Sequence, residues 1–294
     1  MFGEQITSIK QKEAGPVTVD FMNGVLPRAD YDLVVACDGA TSRTRALGLG
    51  CGVRDHLHTL NMLAAYGSTE KDYLVGRKAG QMCSTVGGRA FGVGPDPAGG
   101  NRICALALFP PSDAEAMEPF RTAQKQGNKA LKSYLVQHYA GAGWKGEELV
   151  ADLVEAEDFY ASEMVQIKVP HLYNGGFVLV GDAGYAAGPT GGGTTLAMTG
   201  AYILAGEMGK HKGDVAAGLR AYEERMRPII ADMQTIPPGV PTFIAPQTRW
   251  GIWLRDLLLI TVTWGSGKLS WVLKYLAPAF GGDKYNLPRY SWER

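Results

Sequence analysis

Hydrophobic and polar positions alternate through the early part of the chain, take up a helical period in its middle and merge into apolar blocks toward its end. Residues 4–10 and 16–22 alternate around Lys12-Glu13-Ala14-Gly15, the pattern of a β-hairpin. Asn23-Gly24 supplies a second tight turn before a strand over 32–36. From 56 to 170 the chain changes character. Runs at 59–68, 81–86, 89–93 and 102–109 read as strands separated by glycine and proline, and Ser112-Asp113 is a plausible N-cap for a helix over 114–126. Further helices are predicted at 129–139 and 147–155, and a strand at 160–169. Residues 177–180 are four apolar positions in a row, which suits a strand covered on both faces, and a helix over 194–208 follows. Leu219, Tyr222, Met226 and Ile230 fall at helical spacing within 214–233. A loop at 236–241 then breaks the pattern before two apolar helices at 248–263 and 268–279.

Composition narrows the possibilities. At 294 residues and 46% apolar, the chain can bury one elaborate core or two. Lys plus Arg and Asp plus Glu balance at 29 each, so no net field favours nucleic acid or an anionic membrane surface. A small, largely neutral partner fits better. Cys37, Cys51, Cys83 and Cys104 form no C-x-x-C pair, which disfavours zinc and iron–sulfur sites and leaves reduced cytosolic thiols as the default. The first fifteen residues lack the apolar core of a secretory signal. The run 252–264 is too short to span a bilayer and carries Arg255 and Asp256. The localisation expected is cytoplasmic, with peripheral attachment through the C-terminal apolar helices left open.

Two stretches carry candidate chemistry. After the strand at 177–180, Gly181-Asp182 ends the run, and Pro189, Gly191, Gly192 and Gly193 lead into the helix at Thr194. Glycines there let backbone N–H groups approach a ligand at a helix N-terminus, so phosphate, carboxylate or a ring carbonyl fits. The plainer alternative is an ordinary strand–turn–helix in which Asp182 bonds its own turn. A second strand, 33–36, ends at Asp38-Gly39 and is followed by Ser42 and Arg45.

Together these stretches resemble the fingerprints of the class A FAD-dependent monooxygenases, the para-hydroxybenzoate hydroxylase-like family. Asp38, Gly39, Ser42 and Arg45 look like its DG motif; Gly181, Asp182, Ala183 and Pro189 look like its GD motif, followed by the glycine turn. Thr194-Thr195-Leu196-Ala197, Gly200-Ala201-Tyr202 and the closing Asn286-Leu287-Pro288-Arg289-Tyr290 resemble a subgroup frequent in secondary metabolism. The resemblance implies an α/β fold. A partial FAD-binding domain of the glutathione-reductase-like Rossmann type (1–55 and 173–235) is interleaved with a mixed-sheet α+β substrate domain (56–172), followed by a C-terminal helical extension (236–294). It also implies hydroxylation or epoxidation of a small hydrophobic metabolite with FAD, NADPH and O₂. Cofactor contacts carried over by resemblance are Asp38, Gly39, Arg45, Gly181, Asp182, Pro189, Gly191, Gly192, Gly193 and Thr194; no catalytic residue and no metal ligand is assigned.

The family's opening G-x-G-x-x-G unit finds no match upstream of Asp38, and neither Gly141-Ala142-Gly143 nor Gly92-Val93-Gly94 has the right context. The chain is therefore expected to lack its ADP-binding unit, a truncated Rossmann domain, and to hold FAD weakly or not at all. This leaves two other readings: a non-redox cyclase or isomerase that reuses the substrate cavity, and a shortened, inactive flavoprotein. Tyr185 stands where the common motif has His, which removes support for acid–base work there. His56 and His58 would share a strand face, but no third ligand lies near in sequence. Trp250, Trp253, Trp264 and Trp271 read as helix packing rather than a substrate box or membrane-facing surface. A homodimer is left open.

Overall fold

The computed structural model describes residues 3–11, 15–113, 115–237, 239–265 and 285–291. The expected helix at 268–279, Trp271 and the 12–14 turn lie outside them. The chain forms two compact units: Met1–His58 with Val165–Ile236 and Asp283–Arg294, and Thr59–Met164 with Pro237–Gly282.

In the first unit, β1 (Ile6–Gln11) and β2 (Val17–Phe21) form the expected antiparallel hairpin, with Ile9 opposite Val19. A short β3 (Ala29–Tyr31), which the sequence reading missed, extends that sheet. β4 (Val34–Ala36) leaves it and feeds α1 (Arg43–Leu49). The second unit opens with β5 (Leu57–Thr69), β6 (Gln81–Thr85), β7 (Arg89–Pro95) and β8 (Asn101–Leu108), close to expectation. Alternation along these strands turns Leu63, Ala65, Phe91, Ile103, Ala105 and Ala107 to one face. That face packs on α2 (Glu118–Lys125), α3 (Asn128–His138) and α4 (Gly146–Glu155) through Phe120, Leu131, Leu135, Leu149 and Leu153. Helix α2 starts four residues later than predicted. Asp113 caps only a preceding turn, its carboxylate accepting from Glu115 N at 3.2 Å, and Pro119, which lacks an N–H, suits the first turn of the actual helix. β9 (Tyr160–Ile167) completes the five-stranded order β6-β7-β8-β5-β9.

Chain return to the first unit brings β10 (Tyr173–Asn174) and β11 (Phe177–Leu179). β11 lies parallel to β4, with Phe177, Val178 and Leu179 beside Val34, Val35 and Ala36. A one-turn α5 (Asp182–Tyr185), not anticipated from sequence, precedes α6 (Gly193–Lys210). α6 packs on α7 (Val215–Met233), whose Leu219, Tyr222, Met226 and Ile230 are buried as their spacing predicts. Residues 237–265 hold a short α8 (Val240–Ile244) and α9 (Arg249–Gly265). Where the sequence reading sets 236–294 apart as one extension, 237–282 falls with the second unit and 283–294 with the first.

Candidate functional site

Parallel pairing of β4 with β11 places their carboxyl ends side by side, the usual location of ligand crevices in open α/β sheets. Asp38 and Asp182 therefore emerge from neighbouring strands. Val180 N donates to Ala36 O at 3.0 Å, extending the ladder to the last residues before the turns.

The two acids meet different fates. Asp38 is spent on its own turn: one carboxylate oxygen accepts from Ser42 Oγ, the other from Thr44 N at 3.1 Å, while Ser42 Oγ caps α1 by accepting from Arg45 N at 2.8 Å. Burial opposes ionisation of Asp38, yet the Ser42 and Thr44 hydrogen bonds hold its carboxyl below the ordinary range. Asp182 is exposed and accepts no hydrogen bond among the described residues. The protein mass around it disfavours the charged form and raises its carboxyl above the ordinary range.

Beside it, the glycine turn opens α6. Gly188 and Gly191 take φ of 73° and 76°, left-handed conformations that glycine adopts without strain. A Cβ on Gly193 would have 4.0 Å to the Asp182 Oδ1, so carboxylate and helix start are close. No side chain caps α6, whose N-cap is Gly192, and its first turn carries no acid. By contrast, α1 is capped by Ser42 and α7 by Asp214 Oδ1, which accepts from Ala217 N at 3.0 Å. An uncapped helix of 18 residues leaves N–H donors and the positive end of its dipole facing outward. Unspent acceptor and unspent donors thus share one place in the first unit.

Arg45 departs from expectation. It is wholly buried, and its guanidinium donates to Ala183 O at 2.8 Å, Ala40 O at 3.0 Å and Val53 O at 2.7 Å. These three bonds tie the Asp38 turn to the Asp182 turn, and Arg45 Nε is left buried without a partner among the described residues. Tyr185 is likewise internal, 3.1 Å from the Tyr222 hydroxyl, which donates to Leu179 O at 2.8 Å.

No protein-family model matches the chain. It is 33% identical over 270 residues to monooxygenase CTB7 of Cercospora beticola, a match covering 90% of this chain and 62% of that protein. Identity to the FAD-dependent monooxygenase asL6 of Sarocladium schorii is 32% over 246 residues, covering 80% of this chain and 54% of the relative. Further relatives are also named flavin-dependent monooxygenases. The chain spans between half and two-thirds of the length of these curated relatives. Among solved structures, tetracycline destructase Tet(51) shares the fold at a TM-score of 0.69 and 23% identity, covering 98% of this chain and 69% of that one. Klebsiella pneumoniae HpxO, complexed with FAD and uric acid, gives a TM-score of 0.61 at 24% identity, covering 86% of this chain and 62% of that one. The mixed α/β architecture described above is similar to that of FAD-monooxygenase folds.

Sequence reasoning located both turns but missed the bond from Arg45 to Ala183, because a pairing across 138 residues leaves no local pattern. The uncapped state of α6 was legible, since Gly191, Gly192 and Gly193 offer no side-chain acceptor.

Proposed function

We propose that the chain carries the flavin-ring end of a monooxygenase that hydroxylates or epoxidises a small hydrophobic metabolite in secondary metabolism. The observation supporting this most is the unspent Asp182 carboxylate beside the uncapped start of α6. An acceptor with no hydrogen-bond partner among the described residues and a helix start without a side-chain cap, where only Gly192 N reaches a long bond to Thr190 Oγ1 at 3.5 Å, fit a ligand that presents hydroxyls next to ring carbonyls, as the ribityl and isoalloxazine portions of FAD do. In this reading Asp182 accepts from the ribityl hydroxyls. The amides of Gly192, Gly193 and Thr194 would serve the electron-accepting edge of the ring, where preorganised donors stabilise negative charge. Gly39, Gly181, Pro189 and Gly191 shape the two turns, while Asp38 and Arg45 hold them in place. Bound FAD, reduced by NADPH, supplies O₂ activation and transfer of one oxygen atom.

Substrate recognition is assigned to the second unit. Alternation turns Met62, Ala64, Tyr66, Cys104 and Leu106 to the sheet face opposite the helices, with Tyr66 directly across from Cys104. Met62, Leu106 and Leu108 pack there with Ala245. Tyr66 gives this apolar face a hydroxyl whose pKa burial, with Cys104 adding to it, pushes up to about 12, so it acts as a neutral donor. Met62, Ala64 and Leu108 are already buried there, so the contact with an apolar molecule bearing one or two oxygen acceptors is assigned to the half-buried Tyr66, Cys104 and Leu106.

Titrating the purified chain with FAD and with riboflavin, followed by flavin fluorescence, tests the cofactor reading. Saturable quenching that Asp182→Ala weakens by at least about fivefold is expected from loss of charge-assisted hydrogen bonds. Quenching by neither flavin, or equal quenching in the variant, refutes it.

A further inference from the structure

Helix α9 is built the wrong way round for water. Its Trp250, Trp253, Leu254, Leu257 and Leu258 recur at the i, i+3, i+4, i+7, i+8 spacing of one helical stripe. They are 62%, 56%, 50%, 42% and 52% exposed. Its charged pair lies on the other side. Arg255 bonds Asp256 Oδ1 at 2.8 Å and donates to Ser84 Oγ at 2.7 Å; its side chain is only 15% exposed, against 49% for Asp256, and Leu259 and Ile260 are exposed beside the stripe. The Trp250 and Trp253 rings meet edge to face at 5.2 Å, so exposure has not scattered them. The expectation that these tryptophans pack inside is overturned for both.

We propose that this stripe is a docking surface for a lipid bilayer, on which α9 lies in the plane of the interface. Three observations favour lipid over a protein partner. The outward stripe carries no hydrogen-bonding group except the indole N–H donors, whereas protein interfaces depend on a polar rim to set register. Thr261, at the next stripe position, turns its hydroxyl back to Leu258 O at 2.8 Å. Tryptophans at one end, followed by aliphatic residues and preceded by the exposed cation Arg249, match an interfacial helix. Indoles there sit at headgroup depth and a cation meets lipid phosphate. The described part of the helix, 17 residues and about 25 Å, falls short of the roughly 30 Å hydrocarbon core, and among the described residues no helix is long and apolar enough to cross a membrane. A membrane-dissolved hydrophobic substrate would gain access by this attachment, but the surface stands independently of the flavin reading.

Co-sedimentation of the full chain with vesicles of phosphatidylcholine, alone or with roughly one-third phosphatidylserine, tests the proposal. Binding to both is expected, several-fold tighter with the anionic lipid. Leu257→Glu/Leu258→Glu, at exposed positions, should weaken binding at least about tenfold with an unchanged circular dichroism spectrum. Should that variant misfold, tryptophan quenching of the wild-type chain by brominated lipid decides, because only inserted indoles are quenched. A chain that stays in the supernatant with both vesicle types, or a folded variant that binds like wild type, overturns the proposal. So does a wild-type dimer that ignores vesicles and becomes monomeric on the double substitution, which would make the stripe a self-association surface.

Discussion

Replacing Arg45 by Met removes the guanidinium while nearly keeping its volume, which isolates the three bonds from cavity effects. Hydrogen bonds from a charged donor contribute about 1.5 to 3 kcal/mol each, so the contacts to Ala183, Ala40 and Val53 sum to roughly 5 to 9 kcal/mol gross. Against this stands the desolvation of a fully buried cation, several kcal/mol, which the variant no longer bears. A net loss of about 3 to 5 kcal/mol follows, a large part of a typical domain's margin. Because the bonds lie in the first unit, the loss should be local. Hydrogen exchange followed by mass spectrometry should show peptides covering 34–53 and 177–187 losing protection while those covering 89–108 keep it. An Arg45→Met protein whose 34–53 and 177–187 peptides exchange like wild type, with a denaturation midpoint shift worth less than about 1 kcal/mol, would show that the guanidinium does not tie the turns.

Three further outcomes are expected. Asp182→Asn should stabilise the ligand-free chain at neutral pH. A carboxyl raised in the folded state carries no penalty below its unfolded value, and its penalty grows as pH rises through the folded one; a variant no more stable than wild type at pH 7, or equally stabilised near pH 4, contradicts this. Glu207, fully buried on α6, accepts from Tyr290 OH at 2.7 Å and Arg225 Nε at 2.5 Å. Glu207→Ala should cost about 3 kcal/mol and Tyr290→Phe about 1 kcal/mol, with a double-mutant coupling near 1 kcal/mol in denaturant melts; additive costs would remove the link between helix and tail. Burial, with help from Arg89, lowers the His138 pKa to about 4, so folded stability should decline as pH falls from about 6.5 toward 4, by about 2 kcal/mol after allowing for part exposure. In melts across that range, His138→Gln should show a shallower decline, and an unchanged slope would assign it elsewhere.

Local chemistry and long-range pairing divide what the sequence reveals. Strands β5 to β8 and helices α3, α4, α6 and α7 were legible because each writes its burial into a period of 2 or 3.6. Boundaries slipped where one local signal imitated another, as when Asp113 offered a cap that only a turn uses. α5 is a single turn fixed by backbone bonds to Gly181, too short for any periodicity. At the site, the acids and glycines announced themselves, but their roles did not. Asp38 and Asp182 look alike in sequence, each closing an apolar run before a turn. Only the positions of Ser42 and Thr44 decide that one is consumed by capping and the other is not. Likewise, the apolar residues of α9 announced a hydrophobic helix without showing which side faces inward; the pairing of Arg255 with Ser84, 171 residues apart, settles that.

The asymmetry between the acids also shows how the fold reconciles stability with an open site. A helix N-terminus and a carboxylate left without partners each cost free energy, and placed at opposite ends of a molecule they would be two independent liabilities. Here they adjoin, so on the proposed reading one ligand with acceptors on one side and donors on the other would relieve both. Meanwhile the neighbouring turn, built from the same residue types, is closed internally by Ser42, Thr44 and the Arg45 bonds and supplies the rigidity against which the open turn is held. Filling the α6 cap from within, as Asp214 does for α7, would stabilise the empty chain and remove the donors a ligand needs. Gly191 is accounted for by its left-handed φ of 76° and Gly192 by the Met233 side chain that a Cβ there would meet, so only the open space at Gly193 is left for the proposed ligand to explain.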